Sequence, residues 1–359
     1  MSSTHPGVKA ALTIATEVQG VLDTFFARQG QDFDLVDADL ADLIEAARAA
    51  TGAGKRLRAA FCYWAYRATG GQASQPILEV ASALEMLHAA ALVHDDIIDA
   101  APTRRGMPSA QRRFATMAAK WRPSGEDAEF GLAAAILLGD LLLMWADEMF
   151  SGCEFDSLAV RRTRPWFNVM RSEVLAGAYL ELVVHARRQA DLSTALLILR
   201  YKSAKYTVQR PVQIGAALAD ATPAQLATLG DFGLAAGEAF QLRDDLLSTF
   251  GEPGLVGKPV GIDLRDGKCP VLVAIARAQA SPAAVRELDR LCERPPLTAD
   301  QVARMRDILI EAGVVDTCEQ MIAERLDRAR TTLHRGQFAD EAAVAMLDTL
   351  AIACGHRSV

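Results

Sequence analysis

Apolar residues recur three and four positions apart along most of this 359-residue chain, the period of helices that bury one face. The pattern predicts helices over Val8–Arg28, over Ala38–Ala50, from a break at Gly54 through Arg67, and from Ser74 to Asp99. Ser109–Lys120 and Asp127–Met149 follow, separated by a break at Pro123–Gly125, and then Trp166–His185. Another helix carries Tyr201–Thr207, one runs from Pro223 to Ser248, and four or five short ones fill Val271–Ile352. Gly251–Lys268, rich in Gly, Lys and Asp, reads as a closable loop. Sustained alternation of β-branched residues is absent, and Asp266-Gly267, the only hairpin-type dipeptide, sits in that charged loop. The fold expected is all-α, and with no repeat, low-complexity tract or linker a single domain over 1–359 is the simplest organisation.

Polar positions at the helix ends carry the candidate chemistry. Leu87–Asp99 reads Leu-His-Ala-Ala-Ala-Leu-Val-His-Asp-Asp-Ile-Ile-Asp, and on a helix His88, Leu92, Asp95 and Asp99 share one line. Two carboxylates one turn apart repel by about 0.2–0.5 kcal/mol on an exposed helix, so a cation is the natural compensation. Oxygen-only ligands with open positions suit magnesium; a solvated acidic helix end would show the same residues. Gly54-Lys55-Arg56-Leu57-Arg58 sets three cations at a helix start, where free N–H groups and the helix dipole favour phosphate, although a solvated basic turn also fits. Arg104 and Arg105 follow the acid cluster past Pro102, and the Arg fork suits phosphate. A second pair, Asp244-Asp245, closes another apolar helix just before the lysines of Gly251–Lys268. Lys202 and Lys205, with the hydroxyls of Ser203 and Thr207, read by themselves as a snorkelling surface, with an anion contact as the alternative. His94, between carboxylates and core, has no assigned role.

Charge and composition narrow the class. A formal charge of −7 argues against nucleic-acid binding, which needs a surplus of Lys and Arg. The six cysteines are scattered without a Cys-x-x-Cys and read as ordinary thiols in a reducing compartment. The N-terminus lacks a basic stretch followed by an apolar one. The longest apolar run, Gly131–Leu143, is broken by Asp140 and falls short of the roughly 20 residues a bilayer span needs. The expectation is a soluble cytoplasmic protein with no transmembrane segment.

Taken together and in order from Gly54 to Lys268, these motifs resemble the trans-isoprenyl diphosphate synthases, or polyprenyl synthetases, particularly actinobacterial geranylgeranyl-diphosphate-synthase-like members. The resemblance implies a single-domain isoprenoid synthase helical bundle around a deep apolar cavity, usually homodimeric, that condenses isopentenyl diphosphate with an allylic diphosphate. It also implies roles: Asp95, Asp99 and Asp244 as main ligands of three magnesium ions, with Asp96 and Asp245 supporting them. Arg104, Lys202 and Lys258 would contact the allylic diphosphate with Ser203, Gln241 and Lys268 nearby, and Lys55, Arg58, His88 and Arg105 would form the isopentenyl diphosphate site.

Three positions depart from the common pattern: Ser248 replaces a third Asp, Ala178 stands where Gln is frequent, and Glu181 replaces Asp. With Ser248, the stretch Asp244–Glu252 also fits the second metal motif of class I terpene cyclases, but a cyclase has no use for an isopentenyl diphosphate site. A non-catalytic subunit of a heteromeric prenyltransferase is a third possibility, although such a subunit would be expected to lose metal ligands. Ala91, Leu87 and Leu84 lie on or near the Asp95 face, about 6, 12 and 16 Å along the helix. The small Ala90 and Ala91 leave room where short-product enzymes carry aromatic rings, so a product of C20 or longer is expected, limited by Leu87 or a neighbouring helix.

Overall fold

The computed structural model describes residues 13–52, 54–121, 127–187, 191–251, 261–268, 270–293 and 296–355. Lys258, Glu252, Cys269 and the Pro123–Gly125 break lie outside them. The chain forms two compact units, one built from residues 13–63 and 72–160, the other from 64–71 and 161–355.

The first unit contains α1 (Ile14–Asp34), α2 (Ala41–Thr51), the start of α3 (Leu57–Ala68), α4 (Gln75–Ile98), α5 (Ala110–Ala118) and α6 (Asp127–Gly152). Helix α4 is apolar on all sides and accordingly buried, with Val80, Ala83, Leu84, Met86 and Leu87 in the core. It packs against α1 and α6. Small residues set the approach: a Cβ on Gly139 of α6 would fall 2.1 Å from His94 Nε2 on α4. Helix α4 ends by satisfying its last carbonyls: Ala100 N–H donates to Ile97 O (3.1 Å) and Ala101 N–H to Asp96 O (2.8 Å). This is the paired closure of a Schellman motif. Ala100 occupies the left-handed position, φ 48°, that usually falls to glycine.

One short strand pair accompanies the helices. Thr103–Arg104 (β1) and Met107–Pro108 (β2) pair antiparallel, Arg104 opposite Met107. The two-residue tip, Arg105-Gly106, has φ 53° and 77°, the double positive φ of a type I′ turn. Without alternating flanks, this hairpin left no period-2 signal.

The second unit holds most of α7 (Ser157–Arg187), α8 (Leu192–Ile198), a π-helix over Leu199–Gln209, α9 (Arg210–Leu218), α10 (Pro223–Phe250), α11 (Ile262–Arg265) and α12 (Pro270–Gln279). Helices α13 (Pro282–Cys292), α14 (Ala299–Glu311), α15 (Val314–Arg335) and α16 (Glu341–Gly355) complete it, so five helices cover the predicted four or five. Helix α7 starts nine residues before the expected Trp166 because Asp156 Oδ1 caps it, accepting from Leu158 N–H (2.8 Å) and Ala159 N–H (2.9 Å). It then carries Pro165 in its interior. Helix α10 opens on a capping box between Thr222 and Gln225, with Pro223 at its first position. Its buried Leu242 and Leu246 join Leu264, Leu272, Ile275, Ile308 and Ile322 in one core.

Helices α4 and α6 are both long and apolar enough to cross a bilayer by length and composition. The apolar window of α4 is two-thirds buried within the protein; that of α6 is one-third buried.

Candidate active site

The acidic end of α4 is held by its own hairpin. Arg104 Nε donates to Asp96 Oδ1 at 2.8 Å, and its Nη2 reaches both Asp96 and, at 3.1 Å, Asp95 Oδ2. Burial disfavours the guanidinium charge, but the bonds to Asp96 and Asp95 outweigh it and raise Arg104 above its ordinary value. Asp96 is buried, whereas Asp95 and Asp99 are partly open. The hairpin base is tied down by Ser109 Oγ to Ala101 O (2.7 Å) and by Gln111 Nε2, which donates to the carbonyls of Asp96 and Ala101 at 3.1 Å each. Gln111 is a positioning group the sequence did not single out.

In the same unit, cations gather around His88. Burial first, then the charges of Arg58, Arg105, Arg104 and Arg56, hold its imidazole well below the usual histidine range, so it is neutral near pH 7. Arg105, at the hairpin tip, lies against the basic turn: a Cβ on Gly54 would sit 3.2 Å from its Nη2. The turn itself divides. Lys55 is exposed and Arg58 half-buried, but Arg56 points inward. Its Nη2 donates to Thr51 O and to Gln19 Oε1 (2.5 Å), and Nη1 faces Glu85 Oε2 at 3.7 Å. Two of the three cations therefore stay within reach of solvent at the turn, and the third belongs to the core. Glu85, inside the apolar run of α4, is a second group that sequence reasoning missed; its signal is a lone carboxylate one turn before His88.

In the second unit, Asp244 and Asp245 lie in the last two turns of α10. Gln241 Nε2 donates to Asp245 Oδ1 at 2.7 Å. Burial, with the charges of Asp244, Asp263 and Glu181, pushes the Asp245 carboxyl up to about 8 against that hydrogen bond. Ser248 Oγ donates back to Asp245 O at 3.0 Å, so its hydroxyl proton is spent on the backbone. Lys202 pairs with Glu181, and Lys205 with Glu173, which also receives Arg210 Nε at 2.7 Å. Lys205 does not lie on a snorkelling surface, since it is buried with Tyr206 and Thr207, whereas Lys202 is half-buried. The π-helix that carries them, a form that recurs at functional sites, packs against α7 and α10 across glycines. A Cβ on Gly177 would fall 2.3 Å from Lys202 N, and one on Gly237 would fall 2.4 Å from Ala204 O. Ser203 lies on the same turn, and Lys268 follows α11, its N–H donating to Asp263 O at 2.7 Å.

Among the described residues, no three acidic, histidine or cysteine side chains stand close enough together to hold an ion by themselves. The donor set still suits a hard divalent cation, because it is all oxygen and Asp245 is crowded by like charge. Of the residues expected to bear on product length, Leu87 is 3% exposed and Ala90 is 0% exposed. Ala90 is thus a core contact touching no solvent-sized space, and only Ala91, half-buried, offers surface. His94 packs on Gly139 and approaches Asp140 at 3.5 Å and Ile136 O at 3.4 Å, a bridge between α4 and α6.

Residues 41–309 match the family profile described as polyprenyl synthetase. The geranylgeranyl diphosphate synthase of Mycobacterium tuberculosis is 32% identical over 286 residues, covering 79% of this chain and 76% of that protein. The geranylfarnesyl diphosphate synthase of Aeropyrum pernix is 29% identical over 301 residues, covering 83% and 88%. Among solved structures, the geranylgeranyl pyrophosphate synthase of Corynebacterium glutamicum, complexed with isoprenyl diphosphate and magnesium, superposes with a TM-score of 0.90 at 31% identity. That match covers 95% of this chain and 98% of the other. The polyprenyl synthase of Caulobacter crescentus, complexed with calcium and isoprenyl diphosphate, gives 0.79 at 26% identity over 98% of each chain.

Proposed function

The chain belongs to the polyprenyl synthetase family, and on that premise we propose that it condenses isopentenyl diphosphate with an allylic diphosphate (dimethylallyl, geranyl or farnesyl) into a longer trans-prenyl diphosphate. The observation that carries this reading is the gathering of Arg58, Arg104 and Arg105 around neutral His88, in the same unit as Asp95 and Asp99. It is a built anion site beside a cation site, as a two-substrate reaction requires. Asp95, Asp99 and Asp244 would be the main ligands of magnesium, three ions in all, with Asp96 and Asp245 in support. Bound there, the metal would neutralise charge growing on the departing diphosphate. Arg104, Lys202 and Lys258 hold the allylic diphosphate, with Ser203, Gln241 and Lys268 beside it. Arg104 and Lys202 trade the carboxylates they now hold for phosphate oxygens. Lys55, Arg58, His88 and Arg105 bind isopentenyl diphosphate, and apolar walls keep water from the allylic cation. The departing diphosphate takes the proton lost after condensation, so no side-chain base is required.

The two units act as one synthase domain, the product is C20 or longer, and the enzyme works in the cytoplasm without a transmembrane segment and without nucleic acid. The small, half-buried Ala91 supports the product length. Exposed Leu137 and Met144, two turns apart on one face of α6, support a homodimer, since large apolar side chains left on a surface favour association. Against a cyclase stands the cationic cluster around His88; against a regulatory subunit stand the intact aspartate pairs. Incubation of the purified protein with magnesium, isopentenyl diphosphate and each allylic diphosphate decides among them. A longer prenyl diphosphate is expected; a cyclic hydrocarbon from the allylic substrate alone, or no turnover without a partner protein, overturns the reading.

A further inference from the structure

We propose that the buried pair Arg56–Glu85 is a positioning device for the second-substrate site: it fixes the turn that presents Lys55 and Arg58, and neither residue touches substrate. The inference rests on the reading of the His88 cluster as the isopentenyl diphosphate site.

Arg56 sits between two candidate phosphate ligands, yet it is only 5% exposed and Glu85 only 4%. Its guanidinium is occupied on three sides, by Thr51 O at the end of α2, by Gln19 Oε1 on α1, and by Glu85 on α4. One side chain thus ties the turn to three helices. Glu85 does the same from the other direction: Oε1 accepts from Ala59 N–H at 3.1 Å, in the first turn of α3 directly after Arg58, while Oε2 faces Arg56. A free helix-start donor and a buried guanidinium are satisfied by one carboxylate. The backbone between these anchors is unusual. Gly54 has φ 137° and Arg56 has φ 52°, and a left-handed arginine persists only where surrounding contacts over-determine it. Arg105 leans on Gly54 from the hairpin tip, so displacing the turn would disturb that cation as well. A direct role in diphosphate binding is poorly served by this geometry, because Arg56 faces away from solvent and Glu85 would repel an anion.

Three variants test the assignment: Glu85→Gln, Arg56→Met and the double variant. In the single variants the KM for isopentenyl diphosphate is expected to rise about tenfold, the range seen when a supporting side chain is removed. Turnover number and the KM for the allylic substrate should stay within about twofold. Hydrogen exchange across residues 54–60 should accelerate. The double variant leaves no lone buried charge, so its melting temperature should recover while the raised KM persists. Recovery of KM together with stability, or an equal rise in both KM values, would show a merely structural pair and overturn the proposal. A wild-type protein that never uses isopentenyl diphosphate would instead remove the proposed function. The affinity for inorganic diphosphate and the exchange of residues 54–60 would then still decide the positioning role. Weaker diphosphate binding together with faster exchange in the single variants supports it, and no change in either refutes it.

Discussion

Asp245 offers a sharp test of the electrostatics at the end of α10. Its carboxyl is pushed from an ordinary 3.8 up to about 8 by burial and by Asp244, Asp263 and Glu181. Between those values the folded chain holds a proton that the unfolded chain has lost. Stability without metal therefore falls as pH rises through the window and levels off above about 8. From pH 6 to 8 the folded carboxyl remains protonated for about 1.7 pH units, which at 1.36 kcal/mol each is a loss of about 2 kcal/mol. Asp245→Asn keeps a carbonyl oxygen to accept from Gln241 and removes the ionisation. Urea unfolding in the presence of a chelator, at pH 6 and at pH 8, measures both proteins. The wild type should lose about 2 kcal/mol more than the variant over this interval. Magnesium should restore wild-type stability at pH 8 more than it restores the variant, because the ionised carboxylate is the form a cation favours. Equal pH dependence in the two proteins would refute the assignment of the raised value to Asp245.

Three further substitutions probe other links. Ala100→Gly relieves a left-handed alanine at the C-terminal closure of α4 and should stabilise the chain by about 0.5–1 kcal/mol in urea titration. Gly237→Ala drives a methyl into the Ala204 backbone; it should cost about 1–3 kcal/mol and raise the KM for the allylic substrate through displacement of Lys202. Ala91→Phe should shorten the longest product seen by chromatography of the dephosphorylated prenols, and an unchanged product length would show that this face does not line the growing chain.

The all-α architecture and the two aspartate-bearing helix ends were legible in the sequence because apolar periodicity is local and motif residues are close neighbours in the chain. Asp95 and Asp99 share a helix face by spacing alone. The lysine-bearing stretch around Lys258 lies outside the described residues. What spacing cannot tell is which way a side chain turns when its partner is distant in sequence. Arg56 reads like Lys55 and Arg58 until Glu85, 29 residues on, draws it into the core. Lys205 reads as surface until Glu173 and the glycine-lined helix contacts bury it. The π-helix over Leu199–Gln209 has no mark in the local pattern, since its residues suit an ordinary helix. The left-handed Ala100 and the hairpin carrying Arg104 and Arg105 also escape a reading by period and propensity. The sequence by itself thus determined where most of the helices form, because their period is local. Tertiary structure decided which polar side chains pair with one another and which stay open to solvent, because pairing across helices depends on distances that only packing sets.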